Sequence, residues 1–187
     1  MTRLIIGVTG ASGAIYGTRL LEVLKRANVE THLVITKNAE MTIQLETEVP
    51  LERVRSLATK TYDINDLTAA IASGSFKTDG MVILPCSMKT LSGIANGFSE
   101  NLLLRAADVV IKEKRYLILS PREAPLSVIH LENMLKLARM GVIVLPPMPA
   151  FYTKPKTIDE IVDQTLGKIL DLLNIEHQLY RRWLGSQ

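Results

Sequence analysis

Cysteine is nearly absent from this chain of 187 residues, in which Cys86 is the only one. A single cysteine cannot form a disulfide within the chain, and the cysteine and histidine spacings of common metal sites are missing as well. These absences exclude a disulfide-stabilised secreted scaffold and give no reason to expect a bound metal. They indicate a reducing compartment, so we expect a cytoplasmic protein.

A large charge of one sign is also missing. The chain has 22 Lys and Arg residues against 19 Asp and Glu residues, which leaves a net charge of +3. Proteins that bind the phosphate backbone of nucleic acids usually carry a concentrated basic face, so no nucleic-acid partner is expected. A few well-placed cations would still be enough to bind one small phosphorylated ligand.

Long apolar runs are missing too. The first run, residues 4–8, is soon followed by Arg19 and Glu22, whereas a membrane helix needs about 20 predominantly apolar residues in succession. We therefore expect no targeting signal at the N-terminus and no membrane partner.

Short apolar runs alternate along the chain with segments of helical periodicity. The runs are rich in Val, Ile and Leu and rarely alternate with polar residues, which is typical of strands covered on both faces of a parallel sheet. The apolar runs are residues 3–9, 30–36, 80–85, 116–120 and 142–145. The helical segments are residues 14–26, 101–112, 126–140 and 158–173.

This alternation predicts an α/β fold with a doubly wound, mostly parallel sheet and helices on both faces, of the Rossmann-like or flavodoxin-like kind. The length is that of about one domain. We expect a single domain over residues 1–187, with a C-terminal helical tail from about residue 174 to 187. Residues 49–78 are the least readable part, although residues 51–57 are compatible with a helix.

Small, hydroxylic and charged residues follow the predicted strands. Ligands of such folds bind outside the carboxyl ends of the strands, so these segments are expected to form a pocket. The segments are residues 10–13, 36–37, 87–90, 121–125 and 151–152.

The first of these segments, Gly10 to Gly13, joins a strand to a helix. Glycines allow a tight turn there, and the free amides of a helix N-terminus attract a phosphate. The spacing is not that of the dinucleotide fingerprint, and a plain turn without a ligand is the alternative. The second strand ends at Thr36 and Lys37 without an acidic residue for a ribose hydroxyl, which favours the mononucleotide FMN over NAD.

Three other groups of residues each allow two interpretations. Ser87 either binds a ligand or caps the following helix. Arg105, Asp108 and Lys112 share a helix face, either as solvated ion pairs or as an anion site. Arg122 and Glu123 either clamp a phosphate and move a proton or form a surface ion pair. Glu46 is a weaker carboxylate candidate.

Six segments together resemble the UbiX-like flavin prenyltransferases, a family formerly described as aromatic or phenolic acid decarboxylase subunits of the Pad type. The match runs in order from Gly7 to Trp183, with residues 49–78 matched loosely. The segments are Thr-Gly-Ala-Ser-Gly-Ala (9–14), Pro-Cys-Ser-Met-Lys-Thr-Leu (85–91), Arg-Ala-Ala-Asp-Val-Val-Ile-Lys (105–112), Pro-Arg-Glu-Ala-Pro-Leu-Ser (121–127), Ile-His-Leu-Glu-Asn-Met-Leu (129–135) and Pro-Ala-Phe-Tyr (149–152).

The resemblance implies a metal-independent transferase. It would move a dimethylallyl group from dimethylallyl phosphate to N5 and C6 of reduced FMN, making prenylated FMN for a UbiD-like aromatic acid decarboxylase. It also implies a flavoprotein domain that assembles as a homododecamer with sites at subunit boundaries.

Residue roles also follow from the resemblance. The catalytic residues would be Ser12, Glu46 and Glu123, and Trp183 matches a tail tryptophan. The prenyl-phosphate residues would be Arg105, Lys112, Tyr152 and Lys168. The FMN contacts would be Gly10, Ala11, Ser12, Thr36, Ser87, Met88, Lys89, Thr90 and Arg122. Many members have Gly at the position of Lys89 and Arg at that of Lys168, which leaves the choice of a monophosphate or diphosphate donor open.

Three other functions compete with prenyl transfer. An FMN-dependent decarboxylase acting directly on a phenolic acid would use the same pocket, and a flavin carrier subunit would need only the phosphate-binding turns. A short-chain dehydrogenase would use the spacing of Tyr152 and Lys156, but Pro155 between them argues against the helix that this spacing requires.

Overall fold

A computed structural model describes residues 1–183 and Gly185 of the chain. The chain divides into two compact units, residues 1–146 and residues 147–187. The single domain expected over the whole chain stays a prediction.

The described part of the first unit contains one parallel sheet. Its strands are β1 (Arg3–Val8), β2 (Glu30–Ile35), β3 (Lys60–Tyr62), β4 (Gly80–Cys86), β5 (Tyr116–Pro121) and β6 (Ile143–Val144). Their order across the sheet is β3-β2-β1-β4-β5-β6, and each neighbouring pair is parallel. The strand order reverses between β1 and β4, so the predicted doubly wound sheet is confirmed and its switch point lies there.

Helices connect these strands. In the described residues of the first unit they are α1 (Ala14–Arg26), α2 (Lys37–Glu46), α3 (Leu51–Leu57), α4 (Met88–Ala95), α5 (Leu102–Lys112) and α6 (Val128–Arg139). A short 3-10 turn covers Ala70–Ala72. No helix within residues 1–183 is both long and apolar enough to cross a membrane.

The core lies on both sides of the sheet. From β1 to β2 the chain moves toward one edge and from β4 to β5 toward the other, so right-handed crossovers place α1 and α5 on opposite faces. On the α5 face, Ile5 and Met81 belong to one buried cluster with Leu103. On the other face α1 lies directly on the sheet, since a Cβ at Gly17 would come within 2.7 Å of the carbonyl oxygen of Leu84.

The edge strand β3 was not predicted. It has three residues, and Lys60 and Thr61 are exposed while Tyr62 is buried. So short a segment carries no periodic signal, and its pairing with β2 is a tertiary contact. The helix considered for residues 51–57 is confirmed as α3.

The second unit is built around α7 (Ile158–Leu172). The Thr157 side chain caps it by accepting the amide of Glu160. Residues 147–157, which contain three prolines, form no regular element, because proline lacks the amide hydrogen that helices and sheets use. The helical tail predicted from about residue 174 is wrong over residues 174–183, because α7 ends at Leu172 and Asn174 takes the left-handed conformation, with φ of 54°. Leu184, Ser186 and Gln187 lie outside the described residues.

Candidate functional site

A cleft of about 790 Å³ lies at the carboxyl ends of the strands next to the switch point. Its volume is within the roughly 300–1,000 Å³ typical of small-molecule pockets. Five of the nine predicted FMN residues line it, and they come from the segments after β1, β2 and β4. These five are Gly10, Thr36, Ser87, Lys89 and Thr90.

Gly10 leaves room for α2 against the turn after β1. A Cβ at Gly10 would lie 2.4 Å from Cβ of Asn38 and 3.1 Å from its carbonyl carbon. Contacts this short do not occur between real side chains, so only glycine fits with both segments in place. Asn38 itself lines the cleft. Sequence analysis missed Asn38 because nothing in a short polar residue marks such a contact.

Thr9 connects the two loops that flank the switch point. Its hydroxyl donates to the carbonyl oxygen of Pro85 at 2.8 Å and accepts the amide of Ser87 at 2.7 Å. The side chain is almost fully buried. Thr9 therefore holds the turn after β1 to the end of β4, a role that the sequence motif alone does not reveal.

The N-termini of α2 and α4 both open into the cleft. Thr36 caps α2 by accepting the amide of Ala39, and Ser87 caps α4 by accepting the amide of Thr90. The capping role considered for Ser87 is thus confirmed. The first amides of each helix have no partner inside their helix, so they are available to an anion in the cleft.

The N-terminus of α1 is arranged differently. Glu46, the last residue of α2, accepts the amides of Gly13 and Ala14 at 2.7 Å and 2.9 Å. The amides that we expected to attract a phosphate therefore already have a carboxylate partner. Glu46 lies 33 residues from Gly13 in sequence, which is why it was only a weak candidate.

Glu46 belongs to a cluster with Ser12 and Arg122. The Glu46 side chain is exposed, and the water that neighbouring atoms displace from its carboxylate works to raise its pKa, but hydrogen bonds from the Ser12 hydroxyl and the two α1 amides outweigh this, together with the charge of Arg122. The net effect is a pKa below the ordinary value, so Glu46 is a carboxylate at neutral pH. Arg122 also donates through Nε to the carbonyl oxygen of Ser12 at 3.2 Å. We call these three residues the Ser12–Glu46–Arg122 cluster.

The remaining predicted flavin residues are placed as follows. Glu123 follows Arg122 beyond β5, is exposed, and accepts the amide of Ala124 at 3.0 Å. Met88 packs against the core from the start of α4, and Ala11 is buried in the turn before α1. The buried Ala11 can therefore offer a ligand its backbone groups, whereas Met88 is only partly buried.

Arg105 and Lys112 lie along α5. Arg105 donates to Asp108 at 2.7 Å and to the carbonyl oxygen of Ala72 at 3.1 Å. Lys112 pairs with Glu113 at 2.5 Å, close to Gly74. The ion-pair interpretation is thus confirmed for Arg105 and Asp108, whereas Lys112 pairs with Glu113, and the anion site that the resemblance implies remains a prediction.

The second unit carries Tyr152 and Lys168. Tyr152 contacts Trp183 edge to face, with ring centroids 5.8 Å apart. Lys168 is exposed on α7.

Comparison with known protein sequences gives concordant matches. The family described as Flavoprotein matches residues 1–177. A probable UbiX-like flavin prenyltransferase of Streptomyces sp. (strain D7) is 56% identical over 186 residues, covering 99% of this chain and 93% of the relative. The mitochondrial flavin prenyltransferase PAD1 of Saccharomyces cerevisiae is 53% identical over 183 residues, covering 98% of this chain and 76% of the relative.

Solved structures of UbiX-like proteins are also similar to this chain. A dodecameric FMN-dependent UbiX-like decarboxylase from Escherichia coli O157:H7 has a TM-score of 0.96 at 54% identity, covering 98% of this chain and all of that one (100%). AnUbiX (PadA1), in complex with FMN and dimethylallyl pyrophosphate, has a TM-score of 0.98 at 48% identity, covering 100% of this chain and 99% of that one.

Proposed function

The chain belongs to the Flavoprotein family and, within it, to the UbiX-like flavin prenyltransferases, and we infer that it is itself a transferase acting on FMN. It moves a dimethylallyl group from dimethylallyl phosphate to N5 and C6 of reduced FMN and yields prenylated FMN. The observation that carries this function is the Ser12–Glu46–Arg122 cluster. It brings a carboxylate from the end of α2 and a guanidinium from the segment after β5 to the hydroxyl of Ser12, on the turn of residues 10–13 whose Gly10 lines the cleft.

The cleft fits FMN by its donors and by its shape. Hydroxyls of Thr36 and Ser87 and the first amides of α2 and α4 suit phosphate and ribityl oxygens, and Gly10 lets the N-terminus of α2 pack closely against the turn after β1. When bound, reduced FMN supplies the electron-rich ring atoms to which the prenyl group is joined. We assign its contacts to Gly10, Ala11, Ser12, Thr36, Ser87, Met88, Lys89, Thr90 and Arg122.

The carboxylate of Glu46 is the proposed proton acceptor. Joining one prenyl group to two ring positions displaces a proton from the ring at each position, and Glu46 is ionised at neutral pH, which is the form that can take up a proton. The Ser12 hydroxyl orients this carboxylate and, with the two α1 amides and the charge of Arg122, keeps it ionised. Glu123, which is exposed beside Arg122, is the second proposed proton carrier.

Phosphate departure is assigned to four residues. Cleavage of the bond between the prenyl carbon and the phosphate oxygen leaves negative charge on the departing phosphate. Cations and hydroxyl donors that face this charge lower the energy barrier of the step. We propose Arg105, Lys112, Tyr152 and Lys168 for this role. No metal is needed for this step, and we expect activity to persist in the presence of a chelator.

One anaerobic experiment tests the reaction. The purified protein is mixed with reduced FMN and dimethylallyl phosphate in the presence of EDTA, and the extracted flavin is weighed by mass spectrometry. A flavin heavier by one five-carbon prenyl unit supports the proposal, with dimethylallyl diphosphate as the parallel donor. Unmodified FMN with both donors, or release of CO2 from a phenolic acid by the protein alone, contradicts it.

A charge-removing substitution on α7 tests the phosphate assignment. We expect Lys168→Met to raise the KM for dimethylallyl phosphate by about 10- to 100-fold, since a hydrogen bond from a charged donor contributes about 1.5–3 kcal/mol. Lys168→Arg keeps the charge and should stay near wild type. Lys156→Met, at another exposed lysine of the same unit, is the control. An unchanged KM in Lys168→Met would remove Lys168 from the site.

Two kinds of partner are proposed: an enzyme that receives the product, and other copies of this chain. We propose that prenylated FMN passes to a UbiD-like aromatic acid decarboxylase in the cytoplasm, and that the chain forms a homododecamer. The dodecameric relative supports the assembly, as does α6, where Val128, Ile129, Leu131 and Leu135 are all at least half exposed. Native mass spectrometry tests the oligomer. Restored activity of a UbiD-like apoenzyme after addition of the reaction product tests the recipient.

A further inference from the structure

The segment after α7 turns back along the helix that precedes it. At the end of α7 the amide of Ile175 donates to the carbonyl oxygen of Leu170 at 2.9 Å, and Asn174 has a φ of 54°. This reversal is the usual way in which a left-handed residue ends a helix. Residues 175–183, which we call the tail, then contact α7 through their side chains.

Asp171 is the common acceptor for three tail residues. Its carboxylate accepts the Tyr180 hydroxyl at 2.6 Å, the Arg182 guanidinium at 2.6 Å and His177 Nε2 at 3.1 Å. His177 Nδ1 accepts the amide of Leu179, so in the neutral ring the proton lies on Nε2 and is donated to Asp171. Each of the three side chains therefore donates to one carboxylate on α7.

The protonation states match this arrangement. Burial works to raise the pKa of Asp171, but hydrogen bonds from Arg182, Tyr180 and His177 outweigh it and hold that pKa well below its usual range. Burial and the bond to Asp171 raise the pKa of Tyr180 to about 12. At neutral pH the carboxylate is charged and the phenol keeps the proton that it donates.

Gly167, one turn before Asp171, completes the contact between the tail and α7. A Cβ at Gly167 would lie 2.4 Å from the Tyr180 ring and 2.7 Å from the His177 ring. Both rings therefore pack directly on the helix backbone. Lys168 is the next residue along α7, so the tail is held beside a residue assigned above to the prenyl phosphate.

The end of the tail contacts Tyr152, the other residue of this unit that is assigned to the prenyl phosphate. Trp183 follows Arg182 and meets Tyr152 edge to face, with ring centroids 5.8 Å apart. Tyr152 lies in the proline-containing segment before α7, where no helix or strand holds its side chain. The contact with Trp183 restricts the Tyr152 ring from outside its own segment.

We propose that Asp171 is a positioning residue for the prenyl donor. It holds the tail on α7 so that Trp183 packs against Tyr152 and orders the part of the donor site that this unit supplies. The expected effect on the prenyl donor rests on the proposed function, whereas the contact between the tail and α7 does not depend on any substrate. Loss of Asp171 leaves Tyr180, Arg182 and His177 without a shared acceptor and frees Trp183 from Tyr152.

The chain itself supplies a spectroscopic probe of this contact, because Trp183 is the only tryptophan. Steady-state anisotropy and acrylamide quenching of its fluorescence are measured on the protein without FMN or prenyl donor. We expect Asp171→Asn to lower the anisotropy and increase the quenching. Tyr180→Phe keeps the ring on Gly167 and removes one hydrogen bond, so it should change both in the same direction by less. Glu176→Gln, at an exposed carboxylate of the tail, is the matched control.

Steady-state kinetics then test the consequence for the donor. We expect Asp171→Asn to raise the KM for dimethylallyl phosphate by about tenfold, the factor that corresponds to 1.4 kcal/mol, with FMN affinity unchanged. A change in fluorescence without a change in this KM would overturn the positioning role. Unchanged fluorescence in both Asp171→Asn and Tyr180→Phe would overturn the contact itself. If the wild-type protein forms no prenylated FMN, the proposed function fails, while the fluorescence still decides whether Asp171 holds the tail.

Discussion

Replacing Glu46 with glutamine is expected to slow the formation of prenylated FMN by about 10²–10⁴-fold, the usual contribution of a positioned acid or base. Glutamine has nearly the same shape, and its carbonyl oxygen can still accept an amide of α1. It cannot take up a proton, and it carries no charge to interact with that of Arg122. The rate is measured anaerobically as the yield of prenylated FMN per enzyme, with FMN binding followed separately by flavin fluorescence.

Glu48→Gln is the matched control for this variant. Glu48 lies two residues further along, is exposed, and follows the end of α2. The control should transfer prenyl groups at the wild-type rate. If Glu46→Gln did so as well, Glu46 would be only a cap for α1 and the proton would have to go elsewhere, with Glu123 as the next residue to substitute.

The pH dependence of unfolding tests whether the pKa of Glu46 is lowered in the folded protein. Because its pKa is lowered in the folded protein, the unfolded chain binds its proton more tightly. The stabilisation that results is present above the ordinary carboxyl pKa of about 4.3 and is lost as the pH falls through the lower, folded value. The difference in unfolding free energy between wild type and Glu46→Gln should therefore shrink when urea unfolding is moved from neutral pH to below about pH 4.

Gly10→Ala is expected to weaken FMN binding by at least about tenfold and to lower the unfolding free energy by about 1–3 kcal/mol, the usual cost of overpacking. The added Cβ would lie 2.4 Å from Cβ of Asn38 and within 3.1–3.3 Å of its backbone. Either the turn after β1 or the N-terminus of α2 must move, and both border the cleft. Flavin titration and urea unfolding measure the two effects.

A double-mutant cycle isolates the cause of the Gly10 effect. Asn38→Gly removes the Cβ that clashes but leaves the backbone carbons, so the double variant Gly10→Ala with Asn38→Gly should regain part of the lost FMN affinity. Strictly additive effects of the two substitutions would show that the contact between these residues is not the reason. FMN binding at wild-type strength in Gly10→Ala alone would contradict the assignment of this turn to the flavin.

The sheet and its crossover helices were predictable because their signals are local. Residues 14–26 have apolar residues at helical spacing after a glycine turn, and the structure places α1 over the same residues. β3 has no such signal, since three residues at a sheet edge show no periodicity and only Tyr62 is buried. The tail was misjudged because Asp171, rather than helical periodicity, determines the path of residues 175–183.

The functional features likewise fall into those that the sequence predicts and those that only the tertiary structure shows. The sequence by itself determined the α/β class, the position of the ligand-binding loops after the strands, and, through its motifs, the family. These depend on hydrophobic period and on residue order, which are properties of neighbouring residues. Only the tertiary structure decided that Glu46 caps α1 beside Ser12 and that Asn38 leaves no room for a Cβ at Gly10. The same is true of Asp171, which accepts hydrogen bonds from three tail residues. Those contacts join residues far apart in sequence, or on facing segments, and their energies arise from distances and burial that exist only after the chain has folded.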